Sequence, residues 1–190
     1  MARWEPDARE RLVRTALDLF AEQGYDNTTV AQITERAGLT KSTFFRHFPD
    51  KREVLAAGQD TLCVLLEEGV GAAPASATPL EAVAAALDAA AAAFTPERRA
   101  LGLKLHAVIA ASSELQERDA LKRVGLATAL TTALEKRGVP DPTASLAAEL
   151  GILALKIAYS RWSDPGNQEE LAPLARHALH ELQIASATLR

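Results

Sequence analysis

Thr28-Thr29-Val30-Ala31-Gln32-Ile33-Thr34-Glu35-Arg36-Ala37-Gly38-Leu39-Thr40-Lys41-Ser42-Thr43-Phe44-Phe45-Arg46-His47-Phe48-Pro49-Asp50-Lys51 is the stretch that decides the reading of this chain. Thr29 stands three residues before Gln32, the spacing of a capping box, and predicts a short helix from Val30 to Ala37. Val30, Ile33 and Ala37 share one face of it. Gly38 is its expected left-handed terminator. Thr40 then reads as the N-cap of a second short helix, with Leu39 and Phe44 at the positions of a hydrophobic staple. Pro49 closes it, because proline disfavours a helical residue before it. Two short helices joined by a tight glycine turn are the layout in which the second helix enters a DNA major groove.

The helical wheel of that second helix sorts its residues. At 100° per residue Phe44 and Phe48 fall on one face, which must dock on neighbouring helices. Ser42 and Arg46 lie opposite, with Thr43 and Phe45 beside them and Lys41 and His47 on the flanks. The outward face is short, polar and cationic. Arg46 has the fork to bind a guanine edge at two points, and Phe45 the apolar surface to meet a thymine methyl. Ser42 and Thr43 can reach bases or phosphates. The starts at Thr29, Thr40 and Asp50 offer backbone N–H groups of the kind phosphates favour.

Outward from this stretch, helix signals recur and strand signals do not. Alanine accounts for 39 of the 190 residues, and alanine favours helix over strand. Pro6 and Asp7 open a first helix whose apolar stripe is Leu12, Val13, Ala16, Leu17 and Phe20, ending at Gly24. Asp50 is expected to cap a long fourth helix running through Val54, Leu55, Leu62 and Leu66. Gly69 to Thr78 reads as a loop. Thr78-Pro79-Leu80-Glu81, Thr95-Pro96, Ser113 with Gln116, Asp141-Pro142, and Asn167 with Glu170 open five more helices. The expectation is an all-α chain of about nine helices.

Composition excludes several classes. The longest apolar stretch, Ala82 to Phe94, is mostly alanine and is broken by Asp88, so no membrane span is expected. The first seven residues are charged rather than apolar and do not read as a signal peptide. Cys63 is the single cysteine, which leaves no internal disulfide or cysteine-built zinc site and suits a cytoplasmic protein. The net charge is −4, but residues 1–52 carry nine Lys/Arg against eight Asp/Glu, leaving the acidity to the rest. A near-neutral head on an acidic body suits local DNA contact better than wrapping.

The quoted stretch resembles the DNA-binding signature of the tetracycline-repressor (TetR) family. Upstream, Ala16-Leu17-Asp18-Leu19-Phe20-Ala21-Glu22-Gln23-Gly24-Tyr25 is similar to that family's first-helix pattern, so the resemblance covers roughly residues 8–55. It implies an all-helical homodimer, usually a repressor, that binds a near-palindromic double-stranded operator and is released by a small ligand. Carried over by position, it implies base-reading or base-bordering roles for Lys41, Ser42, Thr43, Phe45 and Arg46, and phosphate contacts for Thr29, His47 and Lys51. Tyrosine is commoner in the family where this chain has Phe45, which removes a hydroxyl and with it one phosphate contact. Arg3 and Trp4 precede the first helix and read either as a DNA-reaching arm or as a tail.

The expected division is a helix-turn-helix DNA-binding domain over residues 1–52 and a helical ligand-binding and dimerisation domain over 53–190. The body from Leu80 to Arg137 is rich in alanine and leucine, so a small apolar effector is expected, with no cofactor. Phe94, His106, Thr128, Thr131, Tyr159 and Trp162 are the candidates to line its pocket. Leu150, Leu153 and Ile157 in the eighth helix, with Leu174, Ala178, Leu182 and Ala185 in the ninth, recur at helical spacing and predict a four-helix dimer seam. His177 and His180 lie three apart without the carboxylate pattern of a di-iron site, so no metal is expected. An enzyme such as a helical hydrolase would need a nucleophile and base set, and none is legible. A protein-binding helical adaptor is the other rival, and the cationic face around Arg46 speaks against it.

Overall fold

A computed structural model describes residues 8–189, leaving aside the side chains of residues 96–98 and 100. Among the described residues the chain forms α1 Ala8–Gln23, α2 Val30–Arg36, α3 Lys41–His47, a 3-10 turn Arg52–Ala56, α4 Gln59–Ala72, α5 Pro79–Ala91, α6 Pro96–Ala110, α7 Ser113–Lys136, α8 Thr143–Ser163 and α9 Leu171–Thr188. No strand occurs among them, and the all-α expectation holds. The expected opening at Pro6 and Asp7, and Arg3 and Trp4, lie outside the described residues.

The chain groups into two compact units. One holds the residues up to Ala57 together with Leu103–Leu121, and the other holds Gly58–Gly102 with Lys122 onward. The sequence placed a single boundary after residue 52. Residues 53–57 and the second segment, which joins the end of α6 to the start of α7, fall instead with the head. The chain therefore passes between the units three times, twice within continuous helices.

In the head unit, α1 packs against α2, α3 and the 3-10 turn. Leu12, Ala16, Leu17, Leu19 and Phe20 of α1 are buried, as are Ile33, Phe44, Phe48, Val54 and Leu55. Leu115, from the second segment, is also fully buried. Polar links tie that segment to the rest of the unit. The Tyr25 hydroxyl donates to Glu114 Oε1 at 2.7 Å. Arg118 donates from Nε and Nη2 to the two Glu53 carboxylate oxygens at 2.8 and 2.9 Å. Lys104 pairs with Asp18.

In the other unit, α4 packs on α5, α8 on α9, and α5 against both α8 and α9. Small residues let these helices approach closely. Ala82, Ala86, Ala90, Ala144, Ala148, Ala154, Ala158, Ala175 and Ala178 are all essentially inaccessible. That is where the alanine excess goes, including the run that follows Ala82. By length and composition alone α8 would suffice to cross a bilayer. Here its alanine-lined side is buried within this helical core.

Two expectations are corrected. The helix expected from Asp50 is not continuous. Asp50 Oδ1 accepts the N–H groups of Arg52 and Glu53 at 2.9 and 3.1 Å and starts a 3-10 turn. Gly58 then takes a φ of 83°, which breaks the run before α4 begins at Gln59. The expected loop from Gly69 is also shorter, because α4 continues to Ala72. Gly69 is buried where α4 crosses α5, and a Cβ there would lie 2.5 Å from Ala86 Cα. Arg137 donates to the carbonyls of Val70, Ala73 and Pro74 and so caps the end of α4.

Candidate nucleic-acid interface

The local chemistry of α2 and α3 builds the interface. Thr29 accepts the Gln32 N–H while Gln32 Oε1 accepts the Thr29 N–H at 2.8 Å, the reciprocal capping box expected from the sequence. At the far end of α2, Leu39 N–H donates to Thr34 O at 2.8 Å and Gly38 N–H to Glu35 O at 3.0 Å. These two bonds close a Schellman motif around Gly38, whose φ is 63°. The turn is therefore fixed by backbone bonding and by the one residue type that enters it without strain. Thr40 caps α3 by accepting the Thr43 N–H at 3.2 Å.

Alpha-3 presents two opposite faces. Phe44 and Phe48 are buried and pack ring to ring, 5.5 Å between centroids. Lys41, Ser42, Phe45 and Arg46 are exposed. Lys41 and Phe45, like Ser42 and Arg46, are four apart and so share the outward face. The ring of Phe45 is 55% exposed and meets the edge of Phe44, at 5.6 Å. Large apolar side chains are normally drawn inward, so a bare ring on a cationic helix face marks contact with another molecule.

The other candidates are placed less uniformly. Thr29 and Thr40 are exposed, with their hydroxyls engaged in capping. Thr43 is half-buried, its hydroxyl 3.0 Å from that of Thr40. His47 is half-buried too, and its Nε2 is closed off without a hydrogen-bond partner among the described residues. Burial first, then the charges of Arg46 and Arg9, hold its imidazole below the ordinary histidine range.

Lys51 departs most from the expectation of a phosphate contact. Its ammonium donates to Tyr25 O at 2.7 Å and Thr28 O at 3.0 Å, and lies 4.0 Å from the Tyr25 ring centroid. Its ammonium is thus turned toward the segment between α1 and α2. Arg9 is the residue the motif did not point to. Its guanidinium lies over the Phe48 ring, 5.3 Å from the centroid. A cation nine residues into the chain gave no signal by spacing, because only the fold brings α1 beside the end of α3.

The candidate pocket residues divide. Phe94, Tyr159 and Trp162 form an aromatic cluster with centroid distances of 5.6 to 6.0 Å, and the Arg99 guanidinium lies 5.2 Å from the Trp162 ring centre. Thr128 is exposed and bonds back to Val124 O, and Thr131 is half-buried. His106 falls in the head unit, apart from the grouping expected for it.

The seam residues divide as well. Leu174 and Ala178 are buried in the protomer's own core, so they offer no surface to a partner. Leu150, Ile157 and Leu182 pack partly against that core. Leu153 and Ala185 are exposed, and so are Leu146 and Ile184, which belong with them as the uncovered apolar side chains of α8 and α9. Helical periodicity alone does not tell the inner edge of such a stripe from its outer one.

A three-helix head whose last helix buries two rings and exposes a polar, cationic face defines a helix-turn-helix DNA-binding protein. Comparison with known proteins narrows this class. Residues 12–57 match the family model of bacterial regulatory proteins, tetR family. The HTH-type transcriptional regulator TcmR of Streptomyces glaucescens is 40% identical over 81 residues, 43% of this chain and 36% of that protein. The matched stretch thus spans well under half of the relative. A TetR-family structure from Syntrophomonas wolfei superposes with a TM-score of 0.64 at 18% identity, covering 97% of both chains. Thermus thermophilus FadR, solved in complex with lauroyl-CoA, gives 0.53 at 23% identity over 92% of this chain and 93% of its own. Residues 12–57 thus match the DNA-binding part of the tetR family, and the fold of the described chain is similar to that of TetR-family structures.

Proposed function

We propose that this protein is a transcriptional repressor that binds a near-palindromic operator as a homodimer and leaves it when a small apolar effector binds. The observation that carries the reading is the two-faced α3, with Phe44 and Phe48 buried and Lys41, Ser42, Phe45 and Arg46 exposed. Arg46 and Lys41 supply base and phosphate contacts, Phe45 meets a thymine methyl or sugar edge, and Thr29, Thr40 and Thr43 border the backbone. Lys51 supports the turn that carries Thr29 instead of donating to a phosphate in the free protein.

Leu146, Leu153, Ile184 and Ala185 form the dimer face, and two copies place their recognition helices about 34–36 Å apart, one turn of DNA. The alanine-rich body, with the aromatic cluster of Phe94, Tyr159 and Trp162, supports an apolar effector. Lauroyl-CoA in the Thermus thermophilus FadR structure is one example of an apolar chain held by this fold. An effector acts only by preferring the spacing that misfits DNA, and a coupling of about 1–3 kcal/mol gives roughly 5–150-fold release.

The test is a mobility shift of duplex DNA. Binding is expected to weaken steeply with salt, to select sequences containing an inverted repeat, and to require the dimer. Retention of full-length activity on DNA by a protein that sediments as a monomer would refute the dimeric reading. A failure to shift any duplex at low salt would refute DNA binding.

A further inference from the structure

One side of α8 is open along a single line. Between Ala144 and Trp162 its exposed residues are Leu146, Glu149, Leu153, Lys156 and Ser160. They follow one another at steps of three, four, three and four, the spacing of one seam along a helix. The opposite side is filled, since a Cβ on Gly151 would lie 2.6 Å from Val83 Cγ1. Leu146 and Leu153 are among the large apolar side chains left uncovered. One acid and one base stand with them, and Glu149 and Lys156 make no ion pair among the described residues. Arg161, the next charged residue of the helix, is answered within the protomer, where it donates to Glu181 at 2.8 Å. A seam of two leucines with two unanswered charges of opposite sign is complementary to itself.

We infer that this seam binds the same seam of a second copy in antiparallel register, crossing at Leu153, with Glu149 of each copy paired to Lys156 of the other. The inference rests on the dimer face proposed above and fixes its register and its choice of partner. A two-fold axis allows two arrangements of one helix with its copy. Parallel copies set each residue against its own counterpart, so Glu149 meets Glu149 and Lys156 meets Lys156. Antiparallel copies crossing at Leu153 bring together residues equally far on either side of it. Glu149 lies four before and Lys156 three after, a mismatch of about 1.5 Å along the axis, well within the reach of these side chains. Leu153 then meets Leu153, and Leu146 meets Ser160. Only the antiparallel register answers both charges. Charge pairs at the edge of an apolar seam select partner and orientation more than they add affinity. A chain with like charge at these positions is thereby rejected.

The experiment exchanges the charges in the full chain. Glu149→Lys leaves two bases on each seam, and Lys156→Glu leaves two acids. Both positions are exposed, so the variants are expected to keep the wild-type circular dichroism. Each is expected to dimerise about tenfold more weakly than the wild type by sedimentation equilibrium at low salt, with the difference closing as salt is added. The doubly exchanged chain, Glu149→Lys with Lys156→Glu, is again self-complementary and is expected to recover wild-type dimerisation. It is also expected to be excluded from mixed dimers with the wild type, because like charges would then face each other at both pairs. Energy transfer between donor-labelled and acceptor-labelled chains reads that exclusion. Parallel copies would leave the single variants at wild-type strength and let the exchanged chain mix freely with the wild type. Either result overturns the register while leaving dimerisation intact. A wild-type chain that sediments as a monomer at every concentration overturns the dimer and its register together.

Discussion

The Tyr25 hydroxyl donates to Glu114 Oε1 over 2.7 Å, joining residues 89 positions apart in the chain. The same tyrosine lies under the Lys51 ammonium, and its carbonyl accepts from it. Tyr25 is 6% exposed and meets the Phe20 ring edge-on. One side chain therefore links the start of α7, the core of α1 and the segment after α3.

Tyr25→Phe keeps the ring and removes the hydroxyl, leaving Glu114 without this bond. A hydrogen bond to a charged group contributes about 1.5–3 kcal/mol, and partial solvent access at Glu114 places the expected loss at the lower end. Denaturant titration of the wild type and variant reads it. Burial first, then the bond to Glu114, hold the phenol well above its ordinary value of 10.0. The folded state keeps this proton where the unfolded chain releases it, so the stabilisation is full below pH 10.0 and declines as pH rises above it. Tyr25→Phe is expected to lose less stability than the wild type over that alkaline range.

Arg46→Ala and Phe44→Ala test the two faces of α3 separately. Arg46 is exposed, so its removal is expected to leave the unfolding temperature nearly unchanged. It should cost about 1–3 kcal/mol on the preferred site and relax selection at one base pair. Phe44 is fully buried, and its truncation is expected to cost about 3–5 kcal/mol of stability. A site-selection experiment paired with calorimetry checks both. An Arg46→Ala protein with undiminished base preference would remove α3 from the groove.

Gly69→Ala sets two effects against each other. Alanine favours helix over glycine by up to about 1 kcal/mol. The added Cβ would meet the Ala86 Cα at 2.5 Å and the Ala85 carbonyl oxygen at 2.8 Å, backbone atoms that cannot turn away. Overpacking of this kind costs about 1–3 kcal/mol, so a net fall in the unfolding temperature is expected by differential scanning calorimetry.

Leu153→Glu and Leu174→Glu separate the outer edge of the α8–α9 stripe from the inner. Leu153 is 43% exposed in the protomer and Leu174 only 6%. Leu153→Glu is expected to stay folded by circular dichroism and sediment as a monomer. Leu174→Glu buries an unpaired charge and is expected not to fold. A dimeric Leu153→Glu protein would move the interface elsewhere.

The features legible in the sequence were those governed by near neighbours. The capping boxes at Thr29 and Thr78, the Schellman turn at Gly38 and the Thr40 cap each depend on residues within five positions. The inward direction of Phe44 and Phe48 followed from helical period alone. What escaped depended on distant partners. Gly69 reads as a loop former unless Ala86 is known to cross it. Lys51 reads as a phosphate ligand unless the Tyr25 and Thr28 carbonyls are known to face it. Leu174 and Leu153 carry the same periodic signal, and only the packing of α5 decides which is covered.

The inclusion of Leu103–Leu121 in the head unit bears on the construction of hybrid regulators. Exchange of DNA specificity between relatives is simplest as a cut after Ala57, where the first segment of that unit ends. Such a graft would bring a foreign Asp18, Tyr25 and Glu53 position to meet the resident Lys104, Glu114 and Arg118. A transplanted head keeps its native support only if the donor's counterpart of residues 103–121 travels with it. The transferable part of this molecule is thus discontinuous in sequence, although its recognition motif is a single run.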